Sequence, residues 1–440
     1  MSTEPSHPLT DAELHRVQLR ALANSQQAPI AVLDKLAVSG NRHIRRNVAR
    51  NESAPPETLA LLSLDDDDET RRSVAENHST APHVLSELAQ DPWWVIRRGV
   101  AANPSSPSAV LDQLACNARQ EIVAATALNP TTDNNTLDRL ARVEGFACVA
   151  SNPAAAADTY RWLLHHDHPY DSRDPFSNPQ FTQQDVALNP HLPLEVFQEA
   201  INHEDPFIRY GAAENPLAEG PHSVKLVDDE NAVVRQSIAW NPAIPPEKLA
   251  ALANDPENCV RSAPLFCNPS LSTCLIEQLY QRYGEKVAWG VGEHPNAPLW
   301  MLERFSACDN PRIRLAVALN PAAPQDILAR LAFDANSDVR YAVCKSSRVP
   351  ESVIPSLAAD PLARVRAALA ANRHIPTALL EPLAEDEAPL VREAIADNPG
   401  TPPDVLVRLA RDRWSTRAIF NATSNPSFPI DAFCRQHSLP

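Results

Sequence analysis

Apolar and polar positions alternate along this chain with a period of about 26 residues. Asn398 is followed eight and eleven residues later by Leu406 and Leu409. Two leucines three residues apart lie on one face of a helix, so this spacing predicts a buried helical stripe. The same pattern starts at a marker residue, usually asparagine, at Asn51, Asn77, Asn103, Asn129, Asn152, Asn189, Asn215, Asn241, Asn268, His294, Asn320, Ser346, Asn372, Asn398 and Asn425.

Each unit predicts two helices. Pro403 and Asp404 are typical of the start of the first helix, because proline has no N–H to leave unpaired there and an acid complements the helix dipole. In the acidic turn that follows, pairs such as Asp360 and Pro361 are typical of the start of the second helix. The second helix carries apolar residues such as Val391, and an alanine close to the next marker allows neighbouring units to approach closely.

These units predict an all-α solenoid of about sixteen two-helix repeats, in which each repeat packs on its neighbours. Most steps between markers are 26 residues, but the step from Asn152 to Asn189 is 37. We therefore expect four segments: an N-terminal polar segment and cap at 1–19, N-terminal repeats at 20–164, an inserted His-rich loop at 165–188, and C-terminal repeats with a cap at 189–440.

The repeat resembles the leucine-rich repeat variant family, whose unit has approximately the pattern NPxTPxxxLxxLAxDxxxxVRxxVA. The resemblance extends over about residues 20 to 436. It implies a right-handed superhelix in which some of the short first helices are 3₁₀. One member of the family carries an iron–sulfur cluster in an N-terminal cysteine-rich segment. The first cysteine here is Cys116, so no cluster is expected in this chain.

Composition narrows the possible functions. The net charge of −16 disfavours broad binding to nucleic acid, which needs many phosphate contacts. The eight cysteines have no paired spacing, which favours reduced thiols, and no apolar run approaches the roughly 20 residues of a membrane helix. We expect a cytoplasmic protein without a membrane segment.

An arginine stands six residues before most markers and is predicted to be structural. A buried arginine needs a partner, so a residue kept in nearly every repeat is more typical of stacking between repeats than of ligand binding. We expect it to bond the aspartates of the acidic turns and helix-end carbonyl groups of adjacent units. This structural ladder comprises Arg45, Arg71, Arg97, Arg209, Arg235, Arg314, Arg340, Arg366 and Arg392.

The next residue along varies from repeat to repeat and is predicted to face outward, toward a partner. Three arginines at this position lie one repeat apart and predict a basic stripe for an acidic partner or a phosphate backbone, although a solvated face balanced by the acids 65–69 is the alternative. Exposed aromatic residues are common anchors at interfaces, but tryptophans could equally wedge between repeats. The candidate partner-binding residues are Arg42, Arg46, Arg50, Arg72, Arg98, Trp94, Tyr210, Trp240 and Tyr341.

The insert contains His165, His166 and His168. Histidine and aspartate side chains can bind zinc, but this spacing matches no established ligand motif. We therefore expect a hinge or a partner-binding loop, and neither a metal site nor a cofactor.

The sequence contains no nucleophile elbow and no glycine-rich phosphate loop, and only 9 glycines. It predicts no catalytic residues. The favoured hypothesis is a non-enzymatic scaffold or adaptor that binds another protein. Two alternatives stay open. The first is a HEAT-like nucleic-acid-binding protein, including one of the glycosylase kind, which would need a continuous basic stripe. The second is a repeat protein of the bilin-lyase kind.

Overall fold

The computed structural model describes residues 7–117, 119–142, 147–166, 179–261 and 268–436. Within these ranges every regular element is a helix, and the helices follow one another as pairs in the predicted repeats. The all-α fold of stacked two-helix repeats that the sequence predicts is therefore confirmed.

The helices belong to two compact units, one formed by residues 1–79 with 297–440 and the other by residues 80–296. Before residue 80 they are α1 (Asp11–Asn24), α2 (Ile30–Ala37), α3 (Arg42–Arg50), α4 (Pro56–Leu62) and α5 (Asp68–Glu76). Those of the second unit are α6 (Pro82–Leu88), α7 (Trp94–Ala102), α8 (Ser108–Ala115), α9 (Gln120–Leu128), α10 (Asn134–Arg142), α11 (Ala157–His165), α12 (Pro179–Leu188), α13 (Leu194–Ala200), α14 (Pro206–Glu214), α15 (Gly220–Val227), α16 (Ala232–Trp240), α17 (Pro246–Leu252), α18 (Thr273–Tyr283) and α19 (Ala288–Glu293). From residue 297 onward they are α20 (Leu299–Ser306), α21 (Pro311–Leu319), α22 (Gln325–Leu331), α23 (Ser337–Lys345), α24 (Ile354–Ala358), α25 (Ala363–Ala370), α26 (Leu380–Leu383), α27 (Pro389–Asp397), α28 (Pro403–Leu409), α29 (Thr416–Ser424) and α30 (Ile430–Gln436). The segment boundaries expected from the sequence stay a prediction.

Short 3₁₀ segments occur at Ala147–Ser151, Gly284–Val287, Glu351–Val353 and Thr377–Leu379. The last two begin first helices, as the family resemblance implies, whereas most other first helices are α-helical from their start.

Helix α14 shows how the local sequence determines where a helix begins and which of its faces is buried. The Asp205 side chain accepts a hydrogen bond from the backbone N–H of Phe207, and Pro206 occupies the first turn. Ile208 and Ala212 are fully buried, as are the two leucines of a typical first helix such as α17. Each buried leucine stabilises the fold by about 2 kcal/mol relative to exposure, so the stripes predicted from the sequence form the core.

The marker asparagine follows the end of the second helix and also forms hydrogen bonds to the preceding repeat. Nδ2 of Asn215 donates to the carbonyl oxygens of Ala187 and Asn189 in the preceding repeat, each at 2.8 Å, and its Oδ1 accepts from the N–H of Leu217 at 2.9 Å. Asn215 is fully buried. Asparagine suits this position because its short side chain carries both donors and an acceptor. Equivalent pairs of donations to the preceding repeat are made by Asn51, Asn77, Asn129, Asn152, Asn372, Asn398 and Asn425.

The ladder arginines form a second set of bonds between repeats. Nε and Nη2 of Arg366 donate to the two carboxylate oxygens of Asp386 at 2.7 and 2.8 Å, and its Nη1 donates to the carbonyl oxygen of Asp360 at 2.7 Å. The side chains of Arg366 and Asp386 are only 11% and 9% exposed. The same two-pronged bond, always to an aspartate twenty residues further on, is made by Arg45, Arg209, Arg235, Arg314, Arg340 and Arg392.

Two further ladder arginines also donate to the carbonyl oxygen six residues earlier, as Arg366 does. Arg71 donates to the carbonyl oxygen of Asp65 at 2.8 Å, and Arg97 donates to that of Asp91 at 2.6 Å. Burial, the largest single effect, would raise the pKa of the ladder carboxylates, but the arginine bond, a backbone N–H bond and the charges of two arginines together outweigh it and lower the pKa of Asp334, Asp360 and Asp386. These ion pairs therefore stay charged at neutral pH.

The first and last repeats are in contact within the first unit. Nε2 of Gln18 in α1 donates to the carbonyl oxygen of Ala410 at 3.0 Å, and Leu9, Ala21 and Ile419 form a buried apolar cluster. Oγ of Ser25 donates to the carbonyl oxygen of Thr423 at 2.7 Å. We call this contact between α1 and α29 the terminal junction. The sequence predicted a separate cap at each end, and nothing in the repeat pattern predicted that the ends would meet.

Part of the predicted insert is helical. The sequence predicts a loop over 165–188, but α12 covers Pro179–Leu188 and ends at the marker Asn189. The expectation of a loop is wrong for this part, because residues 179–188 supply the second helix of their repeat and pack beside α14.

Candidate partner-binding pocket

The second helices α12, α14 and α16 bring together a pocket of about 520 Å³ in the second unit. Its apolar lining includes three exposed side chains, Phe207 at 53%, Val233 at 45% and Trp240 at 43%. The remaining lining residues are Gln184, Tyr210, Glu214, Gln236 and Ser237. The sequence predicted Tyr210 and Trp240 as partner-binding residues, and the structure places both in this pocket.

The close approach of α12 and α14 helps to shape the pocket. A Cβ atom added to Gly211 would lie 2.7 Å from the backbone oxygen of Gln184. No real Cβ makes so short a contact, so glycine lets the two helices approach at this point. The position of Gln184 relative to Tyr210 therefore depends on a residue that the sequence analysis did not single out.

Tyr210 is influenced by an acid on the same helix. The nearby carboxylate of Glu214, together with burial, raises the pKa of Tyr210 to about 12. The two residues are four apart, which places them on one face of α14. The phenol therefore stays neutral, and its ring lines the pocket beside an exposed carboxylate.

The predicted basic stripe is largely neutralised within the chain. Arg46 makes a two-pronged bond to Asp67 at 2.6 and 2.5 Å, and its bond to that aspartate is the main reason why its pKa is raised. Arg72 bonds Glu76 at 2.8 Å. Arg98 lies in the second unit, with its guanidinium 6.0 Å from the Trp94 ring centroid.

The remaining stripe residues, Arg42 and Arg50, are exposed at the two ends of α3. The rings of the other two aromatic candidates, Trp94 and Tyr341, are each in contact with an arginine of this protein. The Trp94 ring lies 4.9 Å from the guanidinium of Arg119, and the Tyr341 ring lies 4.9 Å from that of Arg364. Of the nine partner-binding candidates, Tyr210 and Trp240 line this pocket, and the other seven do not.

The two described histidines of the insert contact α13 and the end of α11. Nε2 of His165 lies 3.0 Å from Oε2 of Glu199, and the His166 ring stacks on Trp162. His168 lies outside the described residues. In the described part of the chain, no group of three His, Cys, Asp or Glu side chains is placed to hold a metal ion, and no helix is long and apolar enough to cross a membrane.

Sequence reasoning missed Phe207 and Val233, which form the exposed apolar edge of the pocket. Both stand eight residues before a marker, in consecutive repeats. An apolar residue at a position that faces solvent in two neighbouring units is a signal that the repeat alignment already contained. Glu214 and Gln184 gave no such signal, because acids and amides are common on exposed helix faces.

The fold and this surface define the chain as an all-α repeat protein of the solenoid class. The model of the family described as leucine rich repeat variant matches residues 311–336, which is one complete repeat unit. The match confirms, for the repeat that it covers, the resemblance to leucine-rich repeat variant proteins recognised from the sequence. A search of curated proteins finds no match.

Several solved structures are similar in part. A leucine-rich repeat variant with a novel repetitive structural motif is 22% identical, with 50% of this chain and 87% of that chain covered and a TM-score of 0.33. Kap95p bound to RanGDP is 11% identical, with 93% and 73% covered and a TM-score of 0.27. Kap121p bound to the extreme C-terminus of Cdc14p is 13% identical, with 98% and 52% covered and a TM-score of 0.26.

Proposed function

We propose that this protein is a non-enzymatic scaffold that binds another protein through the second-helix face of α12, α14 and α16. One observation carries the proposal, namely the pocket in which Phe207, Val233 and Trp240 are all more than 40% exposed. Clustered exposed apolar side chains with a polar rim are typical of interaction sites, and tryptophan and tyrosine are frequent energetic anchors there.

Catalysis and nucleic-acid binding find less support in the described residues. The pocket is lined by a single ionisable acid, Glu214, and a tyrosine whose raised pKa keeps it protonated, so it holds no base and nucleophile pair. The arginines that would contact phosphates include Arg46 and Arg72, which are already bonded to carboxylates. A protein partner therefore suits the surface better than a phosphate backbone.

The proposal is tested by site-specific photo-cross-linking in the native cell. A photoreactive amino acid at position 207 should cross-link one defined protein, whereas the same group at Leu194, which is 50% exposed on α13, should not. The captured protein is then purified and its affinity measured by calorimetry. We expect Trp240→Ala to weaken binding by about 2 kcal/mol, as for a hot-spot residue.

Equal labelling from positions 207 and 194, or an unchanged affinity for Trp240→Ala, would contradict the proposal. Leu194→Ala is the matched control for loss of an exposed apolar side chain, and circular dichroism of each variant checks that the helices are intact.

A further inference from the structure

Several aromatic rings in the described chain are in cation–π contact with an arginine or lysine side chain. The distances from cation to ring centroid are 4.9 to 6.0 Å, within the range of an attractive cation–π contact. The pairs are Trp94 with Arg98 and Arg119, Trp162 with Arg142, Tyr283 with Arg261 and Arg282, and Tyr341 with Lys345 and Arg364.

The aromatic rings of the pocket differ from these. Over Phe207, Tyr210 and Trp240 the structure places no cation from the described residues. Glu214 is the single charged side chain in the lining, and it is exposed at the end of α14. The pocket thus combines three aromatic side chains with a negative charge, and among the described residues no cation covers its rings as cations cover Trp94, Trp162, Tyr283 and Tyr341.

We infer that this pocket binds a cationic side chain, arginine or lysine, from an extended basic segment of a partner protein. The inference deepens the proposed function and rests on it. Aromatic faces carry negative charge at their centres and attract a cation, and the carboxylate adds a hydrogen-bond acceptor. Phe207 and Val233 then contact the apolar residues next to the cation.

The geometry favours a side chain over a free inorganic ion. The pocket is open on one side and its volume of about 520 Å³ exceeds what one ion would fill. Long basic side chains combine an apolar stem with a charged head. The stem matches the exposed Val233, and the head matches Glu214.

The test uses short synthetic peptides with a central arginine between leucines, and the same peptide with lysine or with neutral citrulline at the centre. Binding at millimolar concentrations is followed by the NMR signal of the Trp240 indole N–H. Exposed cation–π and ion-pair contacts together predict that the arginine peptide binds about 5- to 10-fold more tightly than the citrulline peptide. The lysine peptide shows which cation the pocket prefers.

In Glu214→Gln and in Trp240→Phe the preference for arginine should fall, with calorimetry replacing the indole signal in the second variant. The matched controls are Glu293→Gln, an exposed acid also one residue before its marker, and Trp300→Phe, an exposed tryptophan on α20. Both controls should keep the full preference.

Equal affinity for the arginine and citrulline peptides, a preference unchanged by Glu214→Gln, or the absence of saturable binding would overturn the inference. The proposed function fails separately: position 207 can still cross-link a protein while the cationic peptides do not bind. That combination of results would support the scaffold function and contradict binding of a cationic side chain in the pocket.

Discussion

The ordinary junctions between repeats and the terminal junction use different chemistry to solve the same packing problem. At an ordinary junction, such as the one between α25 and α27, Arg366 makes a buried two-pronged bond to Asp386, and Asn398 donates to two carbonyl groups of the preceding repeat. At the terminal junction these donations are divided: Ser25 donates to the carbonyl oxygen of Thr423 at 2.7 Å and Gln27 to that of Asn425 at 2.9 Å.

Among the described residues, the terminal junction also has no buried ion pair of this kind. Ile419 occupies the ladder position before Asn425 and packs in the apolar cluster with Leu9 and Ala21. The ion pair present there, Arg413 with Asp11, is exposed, with side chains 48% and 89% accessible. Exposed pairs contribute little, whereas breaking a buried one is costly. The comparison teaches that neutral hydrogen bonds join both kinds of junction, and that a buried ion pair is added where a repeat has a ladder arginine, whereas apolar contact takes its place where the ends meet.

Acid should give the largest effect, because it acts at once on every junction that has a buried Arg–Asp pair. Although burial opposes it, the arginine bond, a backbone N–H bond and nearby arginine charges together lower the pKa of Asp255, Asp334, Asp360 and Asp386 below the ordinary 3.8. A lowered pKa in the folded state stabilises the fold above the unfolded pKa, and this contribution is lost as the pH falls through the folded pKa. We expect the free energy of unfolding to fall steeply below about pH 4.

The measurement is urea unfolding followed by circular dichroism at a series of pH values. Asp386→Asn should reduce the slope of stability against pH, since one titrating carboxylate is removed. A stability that does not change between neutral pH and pH 3 would show that the ladder bonds contribute nothing net, whatever their geometry.

Removal of one ladder arginine should have the next largest effect. Arg366→Ala leaves the carboxylate of Asp386 buried without its partner, and we expect a loss of about 3 kcal/mol in the free energy of unfolding. Arg364→Ala is the matched control on the same helix, because Arg364 is 49% exposed and pairs with the exposed Asp338. Its loss should cost less than about 1 kcal/mol. Equal losses for the two variants in urea unfolding would remove the distinction between ladder and surface arginines.

Ordinary junctions could be predicted from the sequence because their residues repeat in phase. Arg366 and Asn398 have counterparts in most units, so their roles follow from recurrence, although the carbonyl partners of the asparagine needed coordinates. The terminal junction could not be predicted in this way. Gln18 and Leu9 have no counterpart in the repeat, and a contact over 392 residues leaves no local pattern in a single sequence.

The candidate pocket was predictable only in part, for the same reason. Tyr210 and Trp240 stand at outward-facing positions of the repeat and were singled out from the sequence. Two other features of these sites depend on which side chains the neighbouring helices bring together. Arginines cover Trp94 and Tyr341, and Glu214 is the only charged side chain in the pocket lining. The position of a residue within the repeat predicts which face of its helix it lies on. Three-dimensional packing decides whether other side chains of the protein already cover that face.

The smallest expected effect tests the terminal junction itself. Gln18→Ala removes a neutral hydrogen bond to Ala410 from a side chain that is 6% exposed, and we expect a loss of about 1 kcal/mol. Because this junction lacks a buried ion pair, it should be the first to open, so amide hydrogen exchange in α1 should accelerate while exchange in α25 stays unchanged. Gln26→Ala, at an exposed side chain next to Ser25, is the control. If exchange accelerates equally in α1 and α25, the terminal junction unfolds together with the ordinary junctions, and the contrast between them is one of chemistry and not of stability.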